Sequence, residues 1–269
     1  MSCEGPVTGD FEGMVLENRL LDGATGILHV RCPGVSLAAE PGQFVMVRPG
    51  TSRDPFLGRP LAVAWASGDS FGMVYRVVGR GTALLAGRKA GAGLQVRGPV
   101  GRGFFTSRGG EPLPSRVVLA GGSVGAAPLL FAYQRLGPSR ISGMAMGVSG
   151  SGWEEFAAWL AESFPGAAIF SDDGSIGRAG TALEGLPREI GGDTEIWACG
   201  PEGMLRALAA RYPGQGGRIR VALEARMACG MGGCLGCVIP TTAGNRRVCA
   251  DGPVFAASEV KWHELSRDC

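Results

Sequence analysis

Cys229, Cys234, Cys237 and Cys249 constrain this chain more than any other feature, because the first three crowd onto one glycine-rich loop as C-x4-C-x2-C. Thiols at that spacing, followed by a fourth, are a known way of holding a [2Fe-2S] cluster. Here the fourth comes after eleven intervening residues. Gly230-Met231-Gly232-Gly233 and Leu235-Gly236 let the backbone curl and point N–H groups at sulfur, which would raise a cluster's reduction potential by stabilising added negative charge. A zinc site with four cysteine ligands also accepts C-x2-C, but it more often pairs two short knuckles than loads three thiolates onto one loop. Disulfides are a weaker reading: of eight cysteines, four fall within twenty-one residues, and a chain of 269 residues needs no such staples. A reducing compartment and a metal centre fit better. Cys3, Cys32 and Cys269 lack the arrangement and are expected to be bystanders.

No basic stretch precedes an apolar core and cleavage site at the N-terminus, and no apolar run approaches the ~20 residues that span a bilayer. A cytoplasmic location is expected, with no membrane contact. The formal charge is only +2 and the basic residues are scattered, so no footprint for nucleic acid appears.

Three regions follow one another, giving an expected multidomain β and α/β chain. In residues 1–107, short apolar runs (Ile27 to Val30, Phe44 to Val47, Leu61 to Trp65, Met73 to Val78) separated by Gly and Pro suggest an antiparallel β-barrel or sandwich. In residues 108–214 the rhythm changes to strands alternating with helices, which argues for a parallel-sheet α/β domain. Val117 to Ala120 leads through a glycine turn into a helix over Ala126 to Leu136, stopped by Gly137-Pro138. A second helix carries Trp153, Phe156, Trp159 and Leu160, and further strands are expected near Ile141 to Val148, Ala167 to Phe170 and Glu195 to Ala198. Tyr212 to Gly217 reads as a linker to a small C-terminal cluster domain, residues 215–269.

Several short segments carry further chemistry. Gly121, Gly122 and Gly125 lie between a strand and a helix, where free N–H groups and the helix dipole face a diphosphate, although glycine turns as often serve only close packing. Cys199-Gly200-Pro201 ends a later strand, with Pro201 suited to position N1 of a helix. Ser171 to Ser175 is either a polar turn or a contact to ribose or nicotinamide. In the first region Arg59-Pro60-Leu61-Ala62 places a guanidinium where it can grip a diphosphate, and Gly81 and Thr82 begin a short helix that Thr82 can cap. Taken singly, each of these is more often a solvated charge or turn chemistry.

Together, Arg-Pro-Leu at 59–61, Tyr-Arg-Val at 75–77, Gly-Arg-Gly-Thr at 79–82, Gly-Pro-Val-Gly-Arg-Gly-Phe at 98–104, Gly-Gly-Ser-Val-Gly-Ala-Ala-Pro at 121–128 and Cys-Gly-Pro at 199–201 resemble the ferredoxin reductase family over nearly the whole chain. Leu223 to Cys229, Cys249 to Phe255 and Glu259-Val260 are more specific: they resemble the electron-transfer subunits of the two-subunit, NAD-dependent (class 1B) dihydroorotate dehydrogenases. The resemblance implies FAD on the barrel, contacted by Arg59, Pro60, Leu61, Ala62, Val74, Tyr75, Arg76, Gly81 and Thr82, and NAD at Gly121, Gly122, Gly125, Cys199, Gly200 and Pro201. It assigns the cluster to the four cysteines one by one. Where the family commonly places a flavin-bonding Ser, this chain has Ala62, leaving a backbone N–H for that role.

The same resemblance implies a circuit. Dihydroorotate is oxidised at the FMN of a separate catalytic subunit, in a heterotetramer of two each, and electrons reach NAD+ through the [2Fe-2S] cluster and FAD, in pyrimidine biosynthesis. This chain would carry no catalytic acid or base of its own. Val148 to Trp153 contains no Arg or Lys to pair a 2′-phosphate, which leans towards NAD over NADP. Two other readings stand beside it. One is the small subunit of a ferredoxin:NADP or sulfide oxidoreductase, with the same cofactors; the other, of a different class, is a colourless zinc-stabilised nucleotide-binding regulator.

Overall fold

The structure, a computed structural model, describes residues 8–50 and 54–265. Cys3 and Cys269 lie outside the described residues. The first region is a closed antiparallel barrel of β1 (Gly9–Leu21), β2 (Thr25–Arg31), β3 (Phe44–Arg48), β4 (Arg59–Ser67), β5 (Ser70–Arg76) and β6 (Gly93–Val100), in the order β1-β2-β5-β4-β3-β6. Every strand of the barrel has two neighbours, but β4 meets β5 only over Val63–Ser67, so Arg59–Ala62 keeps one side unpaired with β5; Val15, Leu28, Val30, Val45, Val63, Phe71, Met73 and Val96 pack as one core. β1 has no apolar run because Glu12, Glu17 and Arg19 alternate with inward residues along it. A short helical turn, α1 (Pro33–Ser36), follows β2, and α2 (Arg80–Ala86) follows β5. Thr82 caps α2 from inside its first turn: its Oγ1 accepts the Val78 and Gly79 N–H groups at 3.0 and 3.2 Å.

The remaining chain builds one seven-stranded sheet. β7 (Arg116–Gly122), α3 (Ala126–Leu136), β8 (Ile141–Val148), α4 (Glu154–Ser163), β9 (Ala168–Ser171), β10 (Arg178–Ala179), β11 (Thr194–Cys199), α5 (Glu202–Arg211) and β12 (Ile219–Ala222) follow in sequence. The hairpin β13 (Val238–Thr241) and β14 (Gly244–Arg247) comes next, then β15 (Val254–Ala256). Sheet order is β10-β9-β8-β7-β11-β12-β15, parallel except for β15, so the winding reverses between β7 and β11. Pro201 is the N-cap of α5 instead of its first helical residue, and Trp153 likewise precedes α4. Residues 212–217 turn directly into β12, a strand of the same sheet. The thiol segment is therefore an excursion between β12 and β15, because both flanking strands are apolar enough to be buried in the sheet core.

Barrel and sheet are clamped together. α3 is buried nearly all round because Leu129 and Leu130 pack into the sheet core while Phe131 enters the barrel core. Asp22, in the β1–β2 turn, accepts the Glu155 and Phe156 N–H groups at 2.9 Å each, and its own N–H donates to Glu155 Oε2 at 2.8 Å, a reciprocal cap on α4. The Arg76 guanidinium lies 4.0 Å from the Trp153 ring centroid. Between β6 and β7, Arg108 Nη1 donates to both Glu195 oxygens at 2.7 Å and Trp197 Nε1 donates to Glu195 Oε2 at 2.8 Å, while Phe104 stacks on Trp197 at 4.7 Å. Replacing Glu195 with Ala strands a buried guanidinium and an indole N–H; we predict a loss of about 3–5 kcal/mol in urea denaturation.

Candidate functional site

The two glycine turns meet where the sheet reverses, the position at which open α/β sheets bind ligands. Gly121 pairs with Cys199 across β7 and β11. A Cβ on Gly125 would stand 2.7 Å from the Cys199 carbonyl carbon and oxygen, and one on Gly200 would stand 3.0 Å from the Gly122 backbone. On Gly122 it would stand 2.8 Å from Pro201 Cδ. Close packing of the two turns thus requires glycine at 125 and leaves little room for a side chain at 122 or 200. It also leaves the α3 N-terminus facing the gap between sheet and barrel.

That gap is a pocket of about 450 Å³. Arg59, Pro60, Leu61, Ala62, Val74, Tyr75, Arg76 and Thr82 line it from the barrel, and Gly125 and Cys199 from the sheet. Gly81, Gly121, Gly122, Gly200 and Pro201 are not among the residues that line it. Gly81 has a particular reason to be glycine: a Cβ there would lie 2.2 Å from Arg59 Nε. The guanidinium fills that space, with Nη1 donating to Leu57 O at 2.7 Å and Gly58 O at 3.2 Å, which holds the cation at the pocket wall. The Tyr75 ring packs in the barrel core and its hydroxyl donates to Asn18 Oδ1 at 3.0 Å. Only its backbone is free to serve the pocket. A cation, a run of edge backbone and apolar walls suit a ring system carrying a diphosphate, such as a flavin dinucleotide.

The wall also contains residues that lay within the quoted motifs but were not assigned to a binding site. Val124 comes from the β7–α3 turn and Pro128 from the first turn of α3, and Leu223, Glu224, Ala225 and Met227 continue β12 along the pocket. The signal for the last four was their direct precedence of Cys229. Glu224 is exposed on the pocket wall, and the mass of protein around it desolvates its carboxyl and raises it above the ordinary range. Complete burial, reinforced by the charge of Glu224, pushes the Cys199 thiol well up, so Cys199 is a neutral S–H and no nucleophile.

Beyond Met227 the chain enters the thiol loop. Gly230 and Gly232 take left-handed φ values of 64° and 81°, and Leu235 takes 57° despite its side chain. These turns aim N–H groups at sulfur: Gly232 to Cys249 at 3.1 Å, Met231 to Cys229 and Gly236 to Cys234 at 3.4 Å, and Cys249 to Cys237 at 3.5 Å. The thiols are grouped two and two. Cys229 and Cys234 lie in mutual hydrogen-bonding reach, as do Cys237 and Cys249, the second pair buried and Cys234 exposed. Among the described residues no three His, Cys, Asp or Glu side chains converge on one ion position. Two pairs, each with N–H donors in place, suit a two-iron centre with two thiolates per iron better than one tetrahedral zinc. Cys32 is buried in the barrel core, far from this arrangement in sequence and packing.

The profile of a family described as the iron-sulfur cluster binding domain of dihydroorotate dehydrogenase B matches residues 224–261. The dihydroorotate dehydrogenase B (NAD(+)) electron transfer subunit of Geobacillus kaustophilus is 38% identical over 231 residues, 82% of this chain and 86% of that protein. That of Desulforamulus reducens is 33% identical over 267 residues, covering 94% and 98%. Among solved structures, one of an NADH-dependent reduced ferredoxin-NADP oxidoreductase superposes with a TM-score of 0.75 at 26% identity, covering 95% of this chain and 91% of that one. The FAD/NAD binding domain of nitric oxide dioxygenase from Vibrio cholerae shares the fold, with a TM-score of 0.60 at 16% identity over 78% of this chain and 96% of that one.

The loop geometry makes its own prediction. Chiefly through the Met231 N–H, Cys229 is brought down to about 6, while burial first and then the Cys237 thiol raise Cys249 to about 12. In protein prepared without metal, iodoacetamide labelling of Cys229 should therefore rise as pH passes about 6 and be near its plateau at neutral pH. Cys249 and Cys199 should stay unlabelled until denaturant is added. Peptide mass spectrometry across about pH 5–9, which brackets the lower value and stays below the upper, reads both.

Proposed function

Because the chain belongs to the family of dihydroorotate dehydrogenase B electron transfer subunits, we propose that it is the redox conduit between a dihydroorotate-oxidising subunit and NAD+ in pyrimidine biosynthesis. The partner carries FMN, the assembly is a heterotetramer of two each, and it works in the cytoplasm. The observation that carries the reading is continuity. Met227 lines the pocket and Cys229 is a thiol ligand, with Ala228 alone between them, so a group in the pocket and a centre on the loop are held by one stretch of backbone.

Bound FAD supplies the exchange between single electrons and a hydride pair, and a [2Fe-2S] cluster supplies the single-electron relay. The chain's own residues do the rest. Arg59 grips the diphosphate, and the strand running from Pro60 to Ala62 offers backbone groups to the flavin ring, Ala62 by N–H where relatives of the resemblance commonly use a hydroxyl. Phe44, Val124 and Pro128 line the same pocket and keep water from it. Cys199 and the Gly121–Gly125 turn present the nicotinamide side, the neutral thiol avoiding competing nucleophilic chemistry. The preference for NAD has support at the β8 and β9 ends. Asp173 accepts the Ser151 N–H at 3.1 Å and the Ser175 N–H at 2.9 Å, and its bonds to Ser175 hold it near 2, so a carboxylate stands where a 2′-phosphate would need a cation.

The second reading, a ferredoxin:NADP or sulfide oxidoreductase small subunit, gains weight from the TM-score of 0.75 to a ferredoxin-NADP oxidoreductase chain. The deciding experiment is to identify the flavoprotein that co-purifies under anaerobic conditions and to test dihydroorotate-dependent reduction of NAD+ by the complex. Failure of a fully loaded complex to reduce NAD+ would overturn the pyrimidine assignment. Cys234→Ser should abolish the cluster's EPR signal and reduce dihydroorotate-to-NAD+ turnover by more than the roughly 10–100-fold of an outer-shell change. Reduction of the bound flavin by NADH should survive. Gly81→Ala displaces the Arg59 guanidinium; FAD affinity, measured by fluorescence on reconstitution, should fall about 10–100-fold, the loss of a charge-assisted hydrogen bond.

A further inference from the structure

The thiol loop rests on the barrel as well as on the sheet. Met46 of β3 packs beneath Gly230, where a Cβ would meet Met46 Cγ at 2.5 Å. Beside it, Arg97 of β6 reaches from the barrel to the loop: its Nη1 donates to the carbonyl of Cys229 at 3.2 Å. The other edge of the same guanidinium is taken by Asp10, directly opposite on β1, with Nε to Oδ1 at 2.7 Å and Nη2 to Oδ2 at 2.9 Å. The Arg97 side chain is 31% exposed and that of Asp10 71%. The cation is thus the more withdrawn of the two charges and the one that touches a ligand residue. None of the motifs used above includes either residue.

We propose that Arg97 is a positioning residue for the iron–sulfur centre, tying the Cys229 arm of the loop to the flavin barrel and biasing the centre towards its reduced form, with Asp10 as the opposing charge. The inference rests on the [2Fe-2S] reading of the four thiols. Its physical basis is that adding an electron to a thiolate-bound centre adds negative charge, which a nearby cation favours and a nearby anion opposes. Unlike the Arg247 guanidinium, which is bound to Asp251 and reaches Gly232 O at 3.4 Å from within the loop segment, Arg97 belongs to the barrel. It therefore couples the centre to the flavin side of the molecule. One edge of the pair faces a surface cavity of about 670 Å³, so dissolved salt reaches it.

The test is an EPR-monitored redox titration of the cluster in full-length protein loaded with FAD and iron–sulfide, comparing wild type, Arg97→Gln and Asp10→Asn. Arg97→Gln should make reduction of the cluster about three- to tenfold less favourable and Asp10→Asn more favourable by a comparable factor. For a one-electron centre these are shifts of about 30–60 mV, down and up respectively. Both should shrink in high salt. The NADH-reducible flavin signal should be retained in each variant. A merely structural tie predicts instead that both variants loosen the loop and move the potential the same way; that result, or no shift in either, would overturn the proposal. Should Arg97→Gln fail to retain its cluster, Asp10→Asn decides alone: a rise supports the proposal, and no change or a fall defeats it. A wild-type protein without iron, sulfide or the EPR signal would instead sink the iron–sulfur reading itself, and this proposal with it.

Discussion

Antiparallel pairing of Val254–Ala256 with Ile219–Ala222 is the constraint on which the rest of the site depends. It brings together the two ends of the excursion that contains all four loop thiols, and Leu223 N–H adds a bond to Pro253 O at 3.0 Å just beyond the strands. Closing a loop costs chain entropy that the short β12–β15 ladder offsets only because Val221 and Phe255 are buried in the sheet core. Once closed, the excursion can bring Cys249 back to Cys237 and its N–H donors. The strand end that performs this closure also forms the pocket wall from Ala222 to Met227, so site and loop share one mechanical foundation.

Cleft geometry is set by a different class of interaction. The reciprocal cap of Asp22 on α4 and the Arg76–Trp153 contact sit together at the N-terminus of α4, and the buried Arg108–Glu195–Trp197 bonds add a separate anchor at β11. Such contacts define orientation because each is directional, whereas the apolar packing of α3 between the two cores supplies attraction with little angular preference. Glycine completes the picture by subtraction. At Gly125 and Gly200 the absence of Cβ lets two backbone turns approach to contact, and at Gly81 it lets a guanidinium lie flat against the chain.

How much of this was legible from sequence follows from whether the interaction is local. The barrel strands, the β–turn–α unit at 116–136 and the cysteine loop could be read directly, since alternating apolar residues, a helix stop at Gly137-Pro138 and thiol spacing are properties of neighbouring residues. Of the segments judged to hold a dinucleotide, those at 59–62, 74–76 and 82 do line one pocket with Gly125 and Cys199. Tyr75 illustrates the limit. Its position in the motif says nothing of its ring pointing inward to Asn18, a partner 57 residues away.

The sequence by itself determined the chemistry available: which thiols can bind, which turns admit close approach, where a guanidinium meets a backbone edge. Only the tertiary structure decided how those pieces are shared. It ran 212–217 as a turn from α5 into β12 of the same sheet, made Glu224 a pocket residue, buried Cys237 and Cys249 while leaving Cys234 exposed, and laid Arg97 with Asp10 against Cys229. The reason is physical. Each of these depends on strand pairing or packing between residues far apart in the chain, where the deciding energies are burial and charge proximity, and neither exists until the fold has brought the partners together.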